Sequence, residues 1–132
     1  MNSNKLTSLF LVIAGLIGLA VGVGLTFFPV SMQAQYDIIM QGNVSQLSEI
    51  RAPGLSILSI SVIILIGAFR VRWRYIALLL SALVFLSYGV GRLLSLALDG
   101  IPAQGLMVAM LVELIIGLLA LLALRKVKVN ID

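Results

Sequence analysis

The chain has 132 residues, of which 61% are hydrophobic and 11% charged, and its mean hydropathy is +1.19. A soluble domain carries roughly half apolar and about a quarter charged residues, so this composition indicates an integral membrane protein. The absence of cysteine and histidine excludes disulfides, thiolate nucleophiles, imidazole bases, a haem-binding histidine and the usual zinc ligands. We expect no metal and no cofactor, and we assign no catalytic residue.

Four apolar segments predict transmembrane helices, because about 20 apolar residues are enough to cross a hydrocarbon core about 30 Å thick. They cover residues 6–28, 52–69, 75–98 and 105–124. The first segment exceeds the core of a signal peptide, so we interpret it as a permanent helix. The second begins at Ala52, or earlier near Ser48 with Pro53 as a kink. The sequence thus predicts one domain, an all-α antiparallel bundle of four transmembrane helices.

Residues 29–51 are the longest polar segment and are predicted to form a loop outside the membrane. Apolar residues recur there at helical spacing, at Met32, Tyr36, Ile39 and Met40. This spacing favours a short helix on the outer membrane surface that ends before Gly42, and an ordinary loop is the alternative. Asn43, followed by Gln46, is predicted to cap a new turn that leads toward the second span, and a partly ordered loop is the alternative.

Basic residues cluster on one side of the predicted bundle, and that side also carries both chain termini. They are Lys5, Arg70, Arg72, Arg74, Arg125, Lys126 and Lys128. Lysine and arginine near helix ends favour the cytoplasm, so we predict that both termini are cytoplasmic and that the protein lies in a bacterial inner membrane. Topology and contact with lipid headgroups then account for the net charge of +4, and we expect no nucleic-acid partner.

Two charged residues fall inside the predicted spans. Arg92 precedes Asp99 by seven residues and Glu113 follows Gly105 by eight, which puts both about 10 to 12 Å below the outer ends of their helices at the rise of an α-helix. Side chains tilt toward the N-terminus of a helix, so the two would lean toward each other from antiparallel helices. We predict that Arg92 pairs with Glu113, since an unpaired charge in lipid costs on the order of 3 kcal/mol.

Further polar residues lie near this pair. Ser81, Tyr88, Ser95 and Asp99 share one face of the third helix with Arg92, and Glu49 and Arg51 lie at the outer mouth of the second helix. We therefore predict a polar site in the outer half of the bundle, formed by Arg92, Glu113, Asp99, Arg51, Glu49, Tyr88 and Ser95. Three roles are open for it: a structural lock, a site for a ligand or lipid, and an ion or proton pathway.

Small residues repeat every four positions in the first helix, at Ala14, Gly18, Gly22 and Thr26. Such a ladder lets two helix backbones approach closely. It is interpreted either as packing within the bundle, which we favour, or as the seam of a homodimer.

Several motifs resemble one bacterial family of four-helix membrane proteins, domain of unknown function 4345. They are "FFPV" after the first helix, "EIRAPG" at the second, "GVGRLLSLALDGIP" at the third and "ELIIGLLAL" in the fourth. The resemblance covers nearly the whole chain and implies that Glu49, Arg51, Arg92, Asp99 and Glu113 occupy the polar positions of the family. Ala52-Pro53-Gly54 departs from the glycine pair expected there. The resemblance implies no activity.

Three classes of function follow from these residues. A binding or accessory protein would hold a lipid or small amphiphile in the polar site, or would support a partner membrane protein. A small proton-coupled transporter would use Glu113 as the exchangeable carboxylate. A membrane-embedded enzyme is the least favoured class, because no nucleophile or ligand motif is present. We favour the first class, with membrane lipid and a second copy or a partner membrane protein as the expected partners.

Overall fold

The structure is a computed structural model that describes residues 3–40 and 42–127. Within these ranges the chain forms five α-helices, and their order is α1 (Ser3–Phe27), α2 (Pro29–Ala34), α3 (Val44–Phe69), α4 (Arg74–Asp99) and α5 (Gln104–Leu124). A 3-10 turn, Val71–Trp73, joins α3 to α4. The described residues contain no β-strand, so the predicted all-α fold is confirmed.

Helices α1, α3, α4 and α5 are each long and apolar enough to span a membrane. Many of their large apolar side chains point away from the bundle, including Leu16 on α1, Leu83 on α4 and Leu118 on α5. Water would penalise such a surface, whereas the hydrocarbon of a lipid bilayer accommodates it. The protein is therefore a multi-pass membrane protein built as a helical bundle.

The bundle has two ends that differ in sequence. The terminal end contains the start of α1, the α3–α4 connection and the end of α5. The loop end contains residues 28–40, 42–43 and 100–103. The chain crosses from one end to the other four times, through α1, α3, α4 and α5. Long helices that follow one another in the chain are consequently antiparallel.

Helix α3 begins earlier than either predicted position, at Val44. The side chain of Asn43 accepts a hydrogen bond of 2.8 Å from the backbone N–H of Ser45, as the predicted cap requires. Pro53 lies inside the helix. The residues between Val44 and Pro53 are mostly polar, so hydropathy alone did not reveal that they are helical. The other three long helices begin and end within three residues of their predicted positions.

The predicted short helix in the first loop is present but ends at Ala34, well before Gly42. Asp37 follows in the left-handed region, with φ of 61°, and this conformation stops the helix. The apolar stripe expected along one helical face is therefore divided. Met32 lies in α2, whereas Ile39 lies beyond the turn and is 88% exposed.

The small-residue ladder of α1 packs against α3 in the same chain. Gly18 faces Ser61, and a Cβ atom at Gly22 would lie 2.6 Å from the backbone nitrogen of Leu58. Thr26 contacts Gly54 at the loop end. These contacts run in opposite directions along the two helices, as antiparallel packing requires. The small-residue face of α1 is therefore packed inside the bundle.

The densest packing lies toward the terminal end. The buried core cluster combines side chains from all four long helices: Leu11, Ala14, Ile64, Ala68, Ala77, Leu78, Phe85 and Ile116. Ser61 and Ser81 are buried nearby, and each hydroxyl donates a hydrogen bond to a carbonyl of its own helix, so neither costs an unsatisfied polar group. On α4 no residue after Gly89 is buried. The bundle is thus closed at the terminal end and looser at the loop end.

Gly22→Ala tests the close contact between α1 and α3. The added methyl group would meet backbone atoms of Leu58, and overpacking of this kind costs about 1 to 3 kcal/mol. We expect a lower melting temperature in detergent, followed by circular dichroism. Gly91→Ala is the matched control, because a Cβ atom there meets nothing within 4 Å. Equal melting temperatures for the two variants would contradict the close contact.

Candidate functional site

A cavity of about 380 Å³ lies between the α1–α3 pair and the α4–α5 pair, toward the loop end. Most of its wall is apolar, with Ile17, Val21, Ile57, Phe85 and Val112 among the lining residues. Polar side chains are confined to a few positions. A mainly apolar cavity with a small number of polar groups is the usual form of a small-molecule site. We call it the loop-end cavity.

Arg92 and Glu113 meet in the wall of the loop-end cavity. The Nε atom of Arg92 donates a hydrogen bond of 2.9 Å to Oε2 of Glu113, and the two side chains are 30% and 16% exposed. The helices α4 and α5 are antiparallel, so residues equally far from the loop end come side by side. The pairing that the sequence predicts is present, and it is the one salt bridge among the described residues.

The ion pair uses only part of the hydrogen-bonding capacity of its two side chains. A guanidinium group has five N–H donors, and a carboxylate has two acceptor oxygens. Among the described residues, Arg92 donates only from Nε, and Glu113 accepts only at Oε2. The Nη atoms of Arg92 and Oε1 of Glu113 can therefore bond to water or to a ligand. A ligand that carries both an acceptor and a donor would match this arrangement.

Tyr88 and Glu49 are the other predicted site residues that line the loop-end cavity. Tyr88 lies one helical turn before Arg92 on α4 and is partly buried. Glu49 lies on α3, four residues before Pro53, which also lines the cavity. Proline has no N–H, so the carbonyl oxygen of Glu49 lacks its usual helical donor. The side chains of Glu49, Tyr88, Arg92 and Glu113 thus bring polar groups to the cavity from three helices.

Ser95, Asp99 and Arg51 lie outside the lining of the cavity, contrary to the predicted ring. The hydroxyl of Ser95 donates a hydrogen bond of 2.8 Å to Oδ2 of Asp99, and both residues are exposed. Arg51 is exposed on α3. The predicted polar face of α4 is continuous, but the burial of its residues decreases toward the loop end. Its residues therefore pass from the core at Ser81, through the cavity, to the surface.

The sequence did not predict two structural features, the lining contributed by the first loop and the burial of Arg74. Met32, Gln33 and Tyr36 also line the loop-end cavity, because α2 folds back toward the bundle. The spacing of Met32 and Tyr36 predicts a helix, but it does not predict which surface the helix covers. The sequence places Arg74 among the basic residues that set topology, yet its side chain is buried. No signal in the sequence separates it from Arg70 and Arg72.

The cavity chemistry favours binding over acid–base work. Its two carboxylates, Glu49 and Glu113, lie on different helices, and Glu113 is already bonded to a cation. Within residues 3–40 and 42–127 no group of three carboxylate, histidine or cysteine side chains could hold a metal ion. The geometry offers an Arg–Glu ion pair, a second carboxylate at Glu49 and the ring of Tyr88 beside an apolar volume.

Exchanging the two charges tests the ion pair. Arg92→Glu or Glu113→Arg alone places like charges together in a low-dielectric wall, and we expect each to lower the free energy of unfolding by about 3 kcal/mol. The double exchange restores opposite charges, so we expect it to recover most of the loss. Melting temperature and yield in mild detergent measure both effects.

Arg51→Glu is the control for this experiment, because it reverses a charge at the same end of the bundle outside the cavity. We expect it to change the melting temperature little. A double exchange no more stable than either single exchange would show that the two side chains act independently.

Comparison with known proteins identifies the family. The family model described as domain of unknown function (DUF4345) matches residues 6–124, which is nearly the whole chain. No curated protein and no solved structure matches it. The motifs "GVGRLLSLALDGIP" and "ELIIGLLAL", which contain Arg92 and Glu113, fall within the matched residues. The chain belongs to the DUF4345 family.

Proposed function

We propose that this protein is a small binding or accessory protein of the bacterial inner membrane, and that its loop-end cavity holds a lipid or small amphiphile. The observation that carries the proposal is the Arg92–Glu113 pair in the wall of a 380 Å³ cavity. That volume lies within the range of small-molecule sites, about 300 to 1,000 Å³. The apolar lining suits a hydrocarbon chain, and the ion pair suits a polar headgroup.

The unused donors and acceptor indicate the class of headgroup. The Nη atoms of Arg92 suit a phosphate or carboxylate, and Oε1 of Glu113 suits an ammonium or hydroxyl group. A zwitterionic headgroup offers both kinds of group close together. Its charges would be neutralised in the cavity without disturbing the existing hydrogen bond between Nε and Oε2.

A purely structural lock is the competing role for the pair. A lock is most effective when every donor and acceptor is satisfied inside the protein, because unsatisfied polar groups in a membrane interior are costly. Here one hydrogen bond joins the pair, and a cavity of about 380 Å³ lies beside it. This difference favours a binding role.

The positions of charged residues support the proposed orientation, with both termini in the cytoplasm. The basic residues of the terminal end are Lys5, Arg70, Arg72, Arg74, Arg125 and Lys126. The loop end carries the described acidic residues Asp37, Glu49 and Asp99, with Glu113 below them. Basic residues at helix ends favour the cytoplasmic side. The loop-end cavity would then open toward the periplasm.

Native mass spectrometry from mild detergent tests the proposal, with lysophosphatidylethanolamine as the added zwitterionic probe. We expect the unmodified protein to retain the probe. Ala109→Phe should weaken binding at least about tenfold, or about 1.4 kcal/mol, because Ala109 lines the cavity and a phenyl ring would fill it. Ala20→Phe makes the same change on an exposed face of α1 and should leave binding unchanged.

Two results would overturn the proposal. Equal retention of the probe by Ala109→Phe and Ala20→Phe would mean that the cavity is not the binding site. Proton-coupled flux in proteoliposomes that disappears in Glu113→Gln would instead establish the transporter class. The same spectra report the subunit count and any partner membrane protein that co-purifies, which is the other form of an accessory role.

A further inference from the structure

Arg74 is a buried cation at the terminal end of the bundle. It is the first residue of α4 and only 7% exposed. Its side chain reaches α1, where Nη1 donates a hydrogen bond of 3.1 Å to Oδ1 of Asn4 and Nη2 donates one of 2.9 Å to Oγ of Ser8. Both partners are neutral. They orient the guanidinium group but do not compensate its charge.

One buried donor atom of Arg74 has no partner among the described residues. Its Nε atom is buried and makes no hydrogen bond within the described residues. None of the described carboxylates forms an ion pair with this side chain, since they lie in the loop-end half of the bundle. A buried cation without a counter-charge costs several kcal/mol in a protein interior. An anion bound nearby would lower that cost.

A groove of about 930 Å³ lies beside Arg74, between the start of α1 and the end of α5. Its charged lining residues are Arg72, Arg74 and Lys126, and none of the described acidic side chains lines it. Asn4 and Tyr75 add polar groups at the same side. We call it the terminal groove. Among the described residues its charged lining side chains are all positive, which favours an anionic ligand.

The other wall of the terminal groove is apolar. Phe10 on α1 and Leu119, Leu122 and Ala123 on α5 line it. A free phosphate ion would leave this wall uncovered, whereas a phospholipid would cover it with an acyl chain. We infer that the terminal groove binds the phosphate of an anionic phospholipid at Arg72, Arg74 and Lys126, with an acyl chain along the apolar wall. This site is separate from the loop-end cavity.

Quenching of Trp73 by brominated lipid tests the inference. Trp73 is the only tryptophan of the chain and lies between Arg72 and Arg74. The full chain is reconstituted into phosphatidylcholine vesicles that contain phosphatidylglycerol with brominated acyl chains, and then into vesicles where the bromines are on phosphatidylcholine. We expect a preference for phosphatidylglycerol on the order of fivefold, the effect of one basic side chain near a membrane surface.

A matched pair of double variants separates a site from general surface charge. Arg72→Gln with Lys126→Gln removes two exposed cations that line the groove, and we expect the preference to fall to about one. Arg70→Gln with Arg125→Gln removes the same charge from the same end, outside the groove, and we expect the preference to stay within about twofold of the original. Arg74 is left unchanged because its bonds to Asn4 and Ser8 support the bundle.

Added inorganic phosphate distinguishes the two sources of the anion. We expect an excess of it to leave the quenching by brominated phosphatidylglycerol unchanged at constant ionic strength. Full displacement by inorganic phosphate would identify free phosphate as the ligand and overturn the lipid assignment. The inference also fails if both double variants lose the preference equally, or if the unmodified protein shows none.

Discussion

The hydrocarbon interior of a membrane leaves a charged side chain few partners, and the hydrogen bond between Arg92 and Glu113 meets that constraint. It also fixes how α4 lies against α5, because the two residues must reach the same depth from opposite directions. Glycines at positions 89 and 117 bring the same two helices close together, against Leu114 and Leu86. Electrostatics and close packing therefore select one register for this hairpin. This α4–α5 hairpin forms one side of the loop-end cavity.

The two ends of the bundle differ in how tightly their helices pack. Toward the terminal end, small residues and the buried core bring all four long helices together. Toward the loop end, the α1–α3 and α4–α5 pairs separate, and α2 with its following turn contributes Met32 and Tyr36 to the cavity wall. Rigid packing at one end can hold a looser cavity at the other in a defined shape, which is the general condition for a selective binding site.

Much of this architecture was predictable from the sequence because a membrane restricts a chain to few solutions. Hydropathy predicted the four spans, and helical rise with side-chain tilt predicted the Arg92–Glu113 pair. The sequence does not show that the α1–α3 and α4–α5 pairs separate toward the loop end. It therefore places Ser95 and Asp99 in a site that they do not line. The first turns of α3, which Asn43 caps, are mostly polar, so hydropathy did not predict that they are helical. The burial of Arg74 depends on Asn4 and Ser8 of α1, and no spacing within α4 reveals that contact.

The separation of basic and acidic side chains between the two ends gives the molecule an electric dipole along its long axis. A membrane voltage acts on such a dipole with about 2.3 kcal/mol for each elementary charge carried across 100 mV. A voltage that is negative on the terminal side attracts the cations around Arg70 and Arg125 and repels the carboxylates of Asp37 and Asp99. A membrane with a voltage of that polarity therefore favours this orientation of the bundle more strongly than a depolarised membrane does.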